Sequence, residues 1–201
     1  NEVMMRQLPT ARSNNGLSGE IRGIFSLMAM FIATLWVIEF VDVSVFHGGL
    51  DRLGILPRTS SGLLGILAAP FLHGSWDHLA GNTIGILLLG GLTIAIGRRE
   101  FIAVTLVGAL VGGLGTWIFG RYSVHIGASG LVFAYLGYLL LRGWYDRRFG
   151  SIALALGVGW FYGGMVFGMI PGITPAHISW EGHLFGFIGG VVAARLLHQR
   201  R

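Results

Sequence analysis

Long apolar segments separated by short polar stretches are the feature that most limits how this chain can fold. Six of them reach or approach the ~20 helical residues that the hydrocarbon core of a bilayer requires. They lie at about 23–45, 78–97, 101–120, 127–142, 151–170 and 178–196. Only 11% of the residues are charged and 53% are hydrophobic, which leaves too few charges for the surface of a soluble domain. We therefore predict an all-α, polytopic membrane protein with six transmembrane helices.

A seventh apolar stretch, at 61–72, is too short to cross the bilayer and contains Pro70. It lies in the long connection between the first two spans. Irregular backbone is tolerated at membrane depth only where protein or water covers it. We therefore predict an interfacial or re-entrant segment within this first loop.

The basic residues indicate how the spans are oriented. All 14 are arginines, scattered singly or in pairs. If the N-terminus is cytoplasmic, 11 of these 14 fall in the cytoplasm, and only Arg52, Arg58 and Arg121 fall outside. The positive-inside rule therefore favours six spans with both termini in the cytoplasm. Topology explains the net charge of +5, so we predict no nucleic-acid partner.

This orientation divides the chain into three parts. They are a cytosolic N-terminal tail at 1–22, a membrane domain at 23–198 and a short cytosolic C-terminus at 199–201. Residues 1–20 are polar, with Pro, Ser, Asn and Gly, and we expect a mobile tail there. The chain has no cysteine, which excludes disulfides and thiolate metal sites.

Two spans carry rows of small residues. Such rows let helix backbones approach closely in a membrane, and packing alone is a sufficient reason for them. The rows are Gly182, Gly186 and Gly190 in the sixth span, and Gly130, Ala134 and Gly137 in the fourth.

Strongly polar side chains fall at one depth on three of the predicted spans. Measured from the arginine that ends each span, Asn82, Ser129 and His183 lie at roughly 24, 20 and 18 Å, given a 1.5 Å rise per residue. His78 lies one turn above Asn82 on the same helix face. Ionisable and polar groups inside a span are costly, so their shared level in the outer half of the bilayer indicates a functional site.

The types of these residues indicate nucleophilic catalysis. A serine hydroxyl becomes an effective nucleophile when a base removes its proton, and His183 is the base available to Ser129. The serine opens its helix in the run HIGASG, where Gly127 and Gly130 permit a sharp turn. No carboxylate is placed to orient His183, because Glu181 faces elsewhere on the helix. We therefore predict a Ser–His dyad.

The same level provides donors for an oxyanion. The first amides of a helix have no intrahelical partner, so the Ser129 N–H is free to bind an anion. Asn82 and His78 add side-chain donors of the kind that complete an oxyanion hole.

Zinc is the alternative chemistry for this set. The run HGSWDH supplies possible ligands in His73, Asp77 and His78, and His183 would be a fourth. The His-Glu-x-x-His helix of intramembrane metalloproteases is absent, however, and a spacing of five does not place His73 and His78 on one helical face. We therefore predict neither a metal nor another cofactor.

These motifs resemble those of the rhomboid family of intramembrane serine proteases. The resemblance covers about residues 23–198 and lies in three motifs, in order, on the second, fourth and sixth spans. They are H-x4-H-x3-N (His73, His78, Asn82), G-x-S-G (Gly127, Ser129, Gly130) and H-x2-G-x3-G (His183, Gly186, Gly190).

The resemblance implies that Ser129 attacks, that His183 is the base, and that His78 and Asn82 with the Ser129 amide hold the oxyanion. It gives His73 a structural or water-handling role. It also implies a first loop lying partly in the membrane, and a loop at 171–177 that caps the site and moves to admit substrate. The implied partners are transmembrane protein substrates and the bilayer itself, and we expect a bacterial cytoplasmic membrane. The oligomeric state stays open.

Two positions depart from the family pattern. A Trp-Arg pair often precedes the first histidine, whereas this chain has LLGILAAP there. A tyrosine is common one turn after the serine, and this chain has Phe133, which can still stack on an imidazole.

Two other functions are compatible with Gly-rich helices and buried histidines. A non-catalytic rhomboid-like protein would bind transmembrane clients, but such relatives typically lack the serine or the histidine. A small transporter would show internal repeats with broken helices, and the two halves of this chain show no self-similarity.

Overall fold

The structure, a computed structural model, describes residues 14–199. Within that range the chain forms helices joined by loops, with one isolated bridge between Ile55 and His125 and no β-strand. The first three helices are α1 (Asn14–Val41), α2 (Ser60–Ala68) and α3 (Trp76–Gly85). The remaining five are α4 (Gly91–Ile96), α5 (Arg98–Phe119), α6 (Ser129–Asp146), α7 (Phe149–Tyr162) and α8 (Trp180–His198).

Short helical turns of other pitch extend several of these helices. A π-helical turn, Ile86–Gly90, joins α3 to α4, so the two form one rod. The other extensions are Asp42–Phe46 after α1, Ala69–Phe71 after α2 and Gly163–Met169 after α7.

Four helical stretches are long and apolar enough to cross a membrane: Phe25–Phe46, Trp76–Ile96, Arg98–Phe119 and Phe149–Met169. Each agrees within a few residues with a predicted span. The protein is therefore an integral, multi-pass membrane protein. The predicted short segment at 61–72 is also a helix, α2 with its terminal turn, and is too short to span.

The helices α6 and α8 have 18 and 19 residues and do not meet the same hydropathy criterion. In α8, Glu181, His183 and Arg195 lower the mean hydropathy. For α6, the position in the bundle gives the physical reason. α6 packs against α5, α7 and α8, and every residue from 131 to 139 is buried. A helix enclosed by other helices does not need a uniformly apolar surface, because neighbouring side chains rather than lipid surround it.

The rows of small residues, for which the sequence indicates close helix packing, lie where α6 and α8 meet. A Cβ on Gly186 would collide with the carbonyl of Gly130, and one on Gly190 would collide with the carbonyl of Ala134. The two backbones are thus in direct contact. This contact sets the separation of the two helices that carry Ser129 and His183.

The N-terminal prediction needs a correction. We expected a mobile tail over residues 1–20, but α1 begins at Asn14, so residues 14–20 are helical. The start of the membrane domain at residue 23 stays a prediction. A polar segment can continue a membrane helix into water, since its backbone hydrogen bonds are made within the helix whatever its side chains face. Residues 1–13 of the predicted tail, and 200–201 of the predicted C-terminus, lie outside the described residues.

Candidate active site

Ser129 and His183 form the centre of the candidate site. Ser129 is the first residue of α6, and His183 lies in the first turn of α8. The Ser129 Oγ atom lies 2.9 Å from the His183 Nε2 atom, within hydrogen-bond distance. The structure therefore brings together the two residues that the sequence pairs as nucleophile and base.

The other imidazole nitrogen is held by a backbone carbonyl. His183 Nδ1 lies 2.8 Å from the carbonyl oxygen of Gly168, in the turn after α7. A carbonyl only accepts, so Nδ1 must carry the proton and donate it. Nε2 is then unprotonated and accepts the Ser129 hydroxyl, which is the tautomer that a general base needs.

Glu181 points away from the imidazole. Its Oε1 atom accepts a hydrogen bond of 3.0 Å from the backbone N–H of Arg121 and lies 3.6 Å from the Nε of the same residue. The partner of His183 Nδ1 is thus a carbonyl, as described above, and not this carboxylate. The expectation that Glu181 faces elsewhere on α8 is met.

Phe133 stacks on the imidazole. It lies one turn after Ser129, its ring centroid is 4.1 Å from that of His183, and the two planes are 13° apart. A Cβ on Gly168 would come within 3.2 Å of Phe133 and 3.4 Å of His183 Nδ1. Phe133 and Gly168 therefore confine the imidazole from two directions.

Gly127 brings the backbone close to His78 and Asn82. Its φ of +108° is a conformation that favours glycine, and it turns the chain into α6. A Cβ there would lie 2.6 Å from the His78 ring and 3.3 Å from Asn82 Nδ2. Two side-chain donors thus lie against the residue two positions before Ser129.

Asn82 has an unused donor. The residue is 7% exposed, and its buried Nδ2 atom has no hydrogen-bond partner among the described residues. A buried polar group without a partner is costly, so a free donor in such a place suggests a ligand atom that it binds. An open cavity of about 290 Å³ extends from this point between α3, α6 and α7, and Asn82, Ser129 and His183 line it.

His73 supports the loop that precedes the serine. It is 1% exposed, and its Nε2 atom accepts a hydrogen bond of 3.4 Å from the Ala128 N–H. Burial, and secondarily the nearby His78, lower the pKa of His73 to about 4, so the ring is neutral and able to accept.

The prediction from spacing treated His73 and His78 as residues of one helix, and this premise was wrong. α3 begins at Trp76, so His73 precedes the helix and the helical-face rule does not apply. The two rings are in fact neighbours, with centroids 5.2 Å apart and an edge-to-face angle of 67°. No group of three or more His, Asp or Glu side chains within residues 14–199 is arranged to hold a metal ion.

A smaller cavity of about 50 Å³ lies behind Ser129, between α2, α5 and α8. Thr116, His125 and Ser179 give it polar walls beside the serine. A water molecule needs ~10–15 Å³ of such volume, so a few would fit.

A polar cluster that the sequence did not single out joins the loop before Ser129 to the start of α8. His125 Nδ1 lies 2.7 Å from Ser179 Oγ, and His125 Nε2 lies 3.0 Å from the Arg121 carbonyl oxygen. Ser179 also caps α8 by accepting from the Gly182 N–H at 3.0 Å. Burial is the main cause of the lowered pKa of His125. These contacts hold the helix that carries His183 against the loop that precedes Ser129.

The fold and the site define a class: a multi-pass helical membrane protein with a serine–histidine pair enclosed among its helices. Comparison with known proteins agrees, because the model of the Rhomboid domain matches residues 60–200. The chain belongs to the rhomboid family of membrane proteases.

Individual relatives extend this match. The chain is 41% identical over 174 residues to the uncharacterized protein Rv1337 of Mycobacterium tuberculosis, which covers 83% of this chain and 72% of that protein. It is 39% identical over 196 residues to the uncharacterized protein ML1171 of Mycobacterium leprae, covering 94% and 76%. It is 28% identical over 138 residues to the rhomboid protease GluP of Bacillus subtilis, covering 66% of this chain and 25% of GluP.

Proposed function

We propose that this protein is an intramembrane serine endopeptidase that hydrolyses peptide bonds in or near transmembrane segments of membrane-protein substrates. One observation carries the proposal: the Ser129 hydroxyl lies 2.9 Å from His183 Nε2 while Nδ1 is held by the Gly168 carbonyl. That geometry supplies a nucleophile, a base and the correct tautomer of the base without a carboxylate.

In the first step His183 Nε2 takes the hydroxyl proton while Ser129 Oγ bonds to the carbonyl carbon of the scissile peptide. The carbonyl oxygen becomes an oxyanion, which the Ser129 N–H, His78 and Asn82 stabilise. The intermediate collapses as the peptide C–N bond breaks and His183 returns the proton to the leaving amine. An ester between Ser129 and the substrate remains.

In the second step a water molecule attacks this ester with His183 again as base. The cavity of about 50 Å³ behind Ser129 is a suitable store for that water. Release of the carboxylic acid restores the serine hydroxyl. In each step His183 accepts one proton from the nucleophile and gives it to the leaving group. The chemistry needs no cofactor.

The topology that goes with this function has six spans, α6 and α8 included, and both termini in the cytoplasm. The membrane domain is the part from residue 23 to 198, and the membrane is the cytoplasmic membrane of a bacterium. The site then lies in the outer half of the bilayer. A substrate helix must unwind locally to expose a carbonyl there, because its own hydrogen bonds cover the backbone. The loop at 171–177 would cap the site and move to admit that segment.

Binding of transmembrane clients without cleavage is the second candidate. The presence of both Ser129 and His183 in hydrogen-bond contact favours the enzyme, because a binding protein has no need of an activated hydroxyl. The two functions respond differently to one change: Ser129→Ala abolishes cleavage and leaves client binding intact.

Purified protein in detergent, incubated with a single-span model substrate, tests the proposal. We expect Ser129→Ala and His183→Ala to lower the cleavage rate about 10³-fold or more. Ser123→Ala, which changes an exposed serine in the preceding loop, should cleave at the wild-type rate. A fluorophosphonate should label wild type and not His183→Ala. Equal cleavage by wild type and Ser129→Ala would overturn the proposal.

A further inference from the structure

A second large cavity lies on the outer surface of the bundle, at the end of α6 opposite Ser129. It is a groove of about 760 Å³ between the C-terminal half of α6 and α7. Its lining includes Leu140, Trp144, Arg147, Ala155, Leu156 and Trp160. None of these residues lines the cavities around Ser129. The volume falls within the ~300–1,000 Å³ of small-molecule sites in proteins.

Glycines determine the shape of this groove. A Cβ on Gly143 would lie 2.7 Å from the Ala155 Cβ, so α6 and α7 touch there. At Gly159 the helix presents no side chain, and a Cβ would only reach ordinary contact, 3.6 Å, with Leu140. Trp144 and Trp160 stand beside this floor and are 71% and 84% exposed. The result is an apolar trough open to the surrounding lipid.

The length of the groove is comparable to the depth of one leaflet. Along α7, the lining runs from Ile152 to Trp160, which is roughly 12 Å at 1.5 Å per residue. Half of the hydrocarbon core is ~15 Å thick. A trough of this length that runs from a polar end towards the bilayer centre has the dimensions of a single acyl chain.

Positive charge is concentrated at the polar end. Arg142 is neutralised by Asp146, whose Oδ2 atom lies 2.8 Å from its Nε and also accepts from Ser151 Oγ at 3.1 Å. Arg147 and Arg148, in the turn between α6 and α7, make no ion pair with any residue in the described part of the chain. Arg147 itself lines the groove. The polar end of the groove therefore has Arg147 in its lining and Arg148 next to it in the chain, neither of them ion-paired with a described residue.

We propose that this groove binds an anionic phospholipid, with one acyl chain between α6 and α7 and the phosphate at Arg147 and Arg148. A guanidinium group is the side chain best suited to bind phosphate oxygens in pairs. Basic pockets between membrane helices are a recognised form of anionic-lipid site, and the two tryptophans have the amphipathic character of residues that border lipid. The site is independent of the proposed peptidase activity and requires only that the protein lies in a membrane.

Native mass spectrometry of the detergent-solubilised protein, titrated with phosphatidylglycerol or phosphatidylcholine, tests the assignment. We expect wild type to retain phosphatidylglycerol in preference to phosphatidylcholine. Because an arginine near an anionic lipid contributes ~1 kcal/mol, Arg147→Gln/Arg148→Gln should weaken phosphatidylglycerol binding about 30-fold. The matched control is Arg98→Gln/Arg99→Gln, a second arginine pair at the start of α5, and it should bind as wild type does.

A second variant tests the apolar part of the site. Gly159→Leu places a side chain in the trough and keeps both arginines, and it should also lose phosphatidylglycerol, whereas Gly159→Ala should keep it. Equal loss in both arginine pairs would overturn the proposal in favour of diffuse attraction. Full displacement of the lipid by glycerol 3-phosphate would overturn it as well, because the headgroup alone would then suffice. A dimer in the spectra that Gly159→Leu abolishes would assign the groove to a second copy of the chain.

Discussion

At the scale of single residues, the confinement of His183 is the property on which catalysis would depend most finely. A base that must take a proton from Ser129 and return it to a leaving amine needs one fixed orientation. Here that orientation is set by an aromatic ring on one side and a backbone carbonyl at the far nitrogen. Neither contact is charged, so the orientation of the imidazole is fixed without burying a carboxylate beside it.

Replacing Phe133 tests the aromatic part of this arrangement. A stacked pair is worth ~0.5–1.5 kcal/mol beyond its buried area, so we expect Phe133→Ala to lower kcat about three- to tenfold. KM should change less than kcat, because the closest aromatic contact of the ring is the imidazole. Steady-state cleavage of the model substrate measures both constants. A change confined to KM would contradict this role for Phe133.

A second residue-scale prediction concerns Asp51, in the first loop. Burial, and secondarily the negative charge of Asp42, raise the pKa of Asp51 to about 6 from 3.8. Glu39 lies in the same acidic group, and a buried oxygen of Asp51 has no hydrogen-bond partner among the described residues. The folded state therefore binds this proton more tightly than the unfolded state does.

The sign of the effect follows from linkage. Because the pKa of Asp51 is higher in the folded state than in the unfolded state, ionisation of this carboxyl favours unfolding. The free energy of unfolding should therefore fall as the pH rises from about 4 to about 6. Above that range the penalty is fully present, and Asp51→Asn removes it. We expect the thermal midpoint of Asp51→Asn to exceed that of wild type at pH 7.5, with the difference shrinking by pH 4.5. Parallel pH curves for the two proteins would show that Asp51 is not responsible.

At the scale of helices, the contact between α6 and α8 carries the site. Gly130 lies beside Ser129, and Gly186 lies one turn after His183, so the helix contact and the reacting pair share a few residues. Any added bulk between these backbones must move the serine and the histidine apart. The site thus depends on the absence of side chains as much as on the presence of reactive ones.

Gly186→Ala is therefore expected to damage stability and activity together. Its Cβ would collide with the Gly130 carbonyl, and overpacking of this kind costs ~1–3 kcal/mol. We expect a lower thermal midpoint and weaker fluorophosphonate labelling of Ser129. The matched control is Gly157→Ala in α7, where nothing lies within 4 Å of the added Cβ, and which should leave both properties unchanged. A fully active Gly186→Ala would mean that the backbone contact does not position the pair.

Sequence reasoning located most of the helices and paired Ser129 with His183, which the structure places in contact, for a physical reason. Apolar runs bounded by arginines fix where spans lie, and the 1.5 Å rise places Ser129 and His183 at a common depth. The acceptor for His183 Nδ1 could not be found in this way, because Gly168 contributes a backbone carbonyl from an apolar run. The contact between His125 and Ser179 joins residues 54 positions apart, and no periodicity in the sequence records it. Contacts of loops and turns require the assembled bundle.

At the scale of the whole molecule, the number of spans depends on whether α6 and α8 also cross the membrane. Four segments satisfy length and hydropathy, α6 is enclosed by its neighbours, and α8 exposes Ile188, Val192 and Leu196. An all-spanning bundle places the loop before α6 on one side of the membrane, and the turn before α7 on the other. If α6 did not cross, those two loops would lie on the same side.

Because the chain has no cysteine, single cysteines can report this arrangement without removing native ones. We expect a cysteine in place of Ser123 to react with a membrane-impermeant maleimide added outside intact cells. Cysteines in place of Arg148 and Gln199 should react only after the membrane is permeabilised, since six crossings return the chain to the cytoplasm after α8. Outside labelling at Arg148→Cys would mean that α6 does not span. If one of Arg148→Cys and Gln199→Cys reacted outside and the other only after permeabilisation, either α7 or α8 would not cross the membrane. Two positions lie on the same side only when an even number of spans separates them.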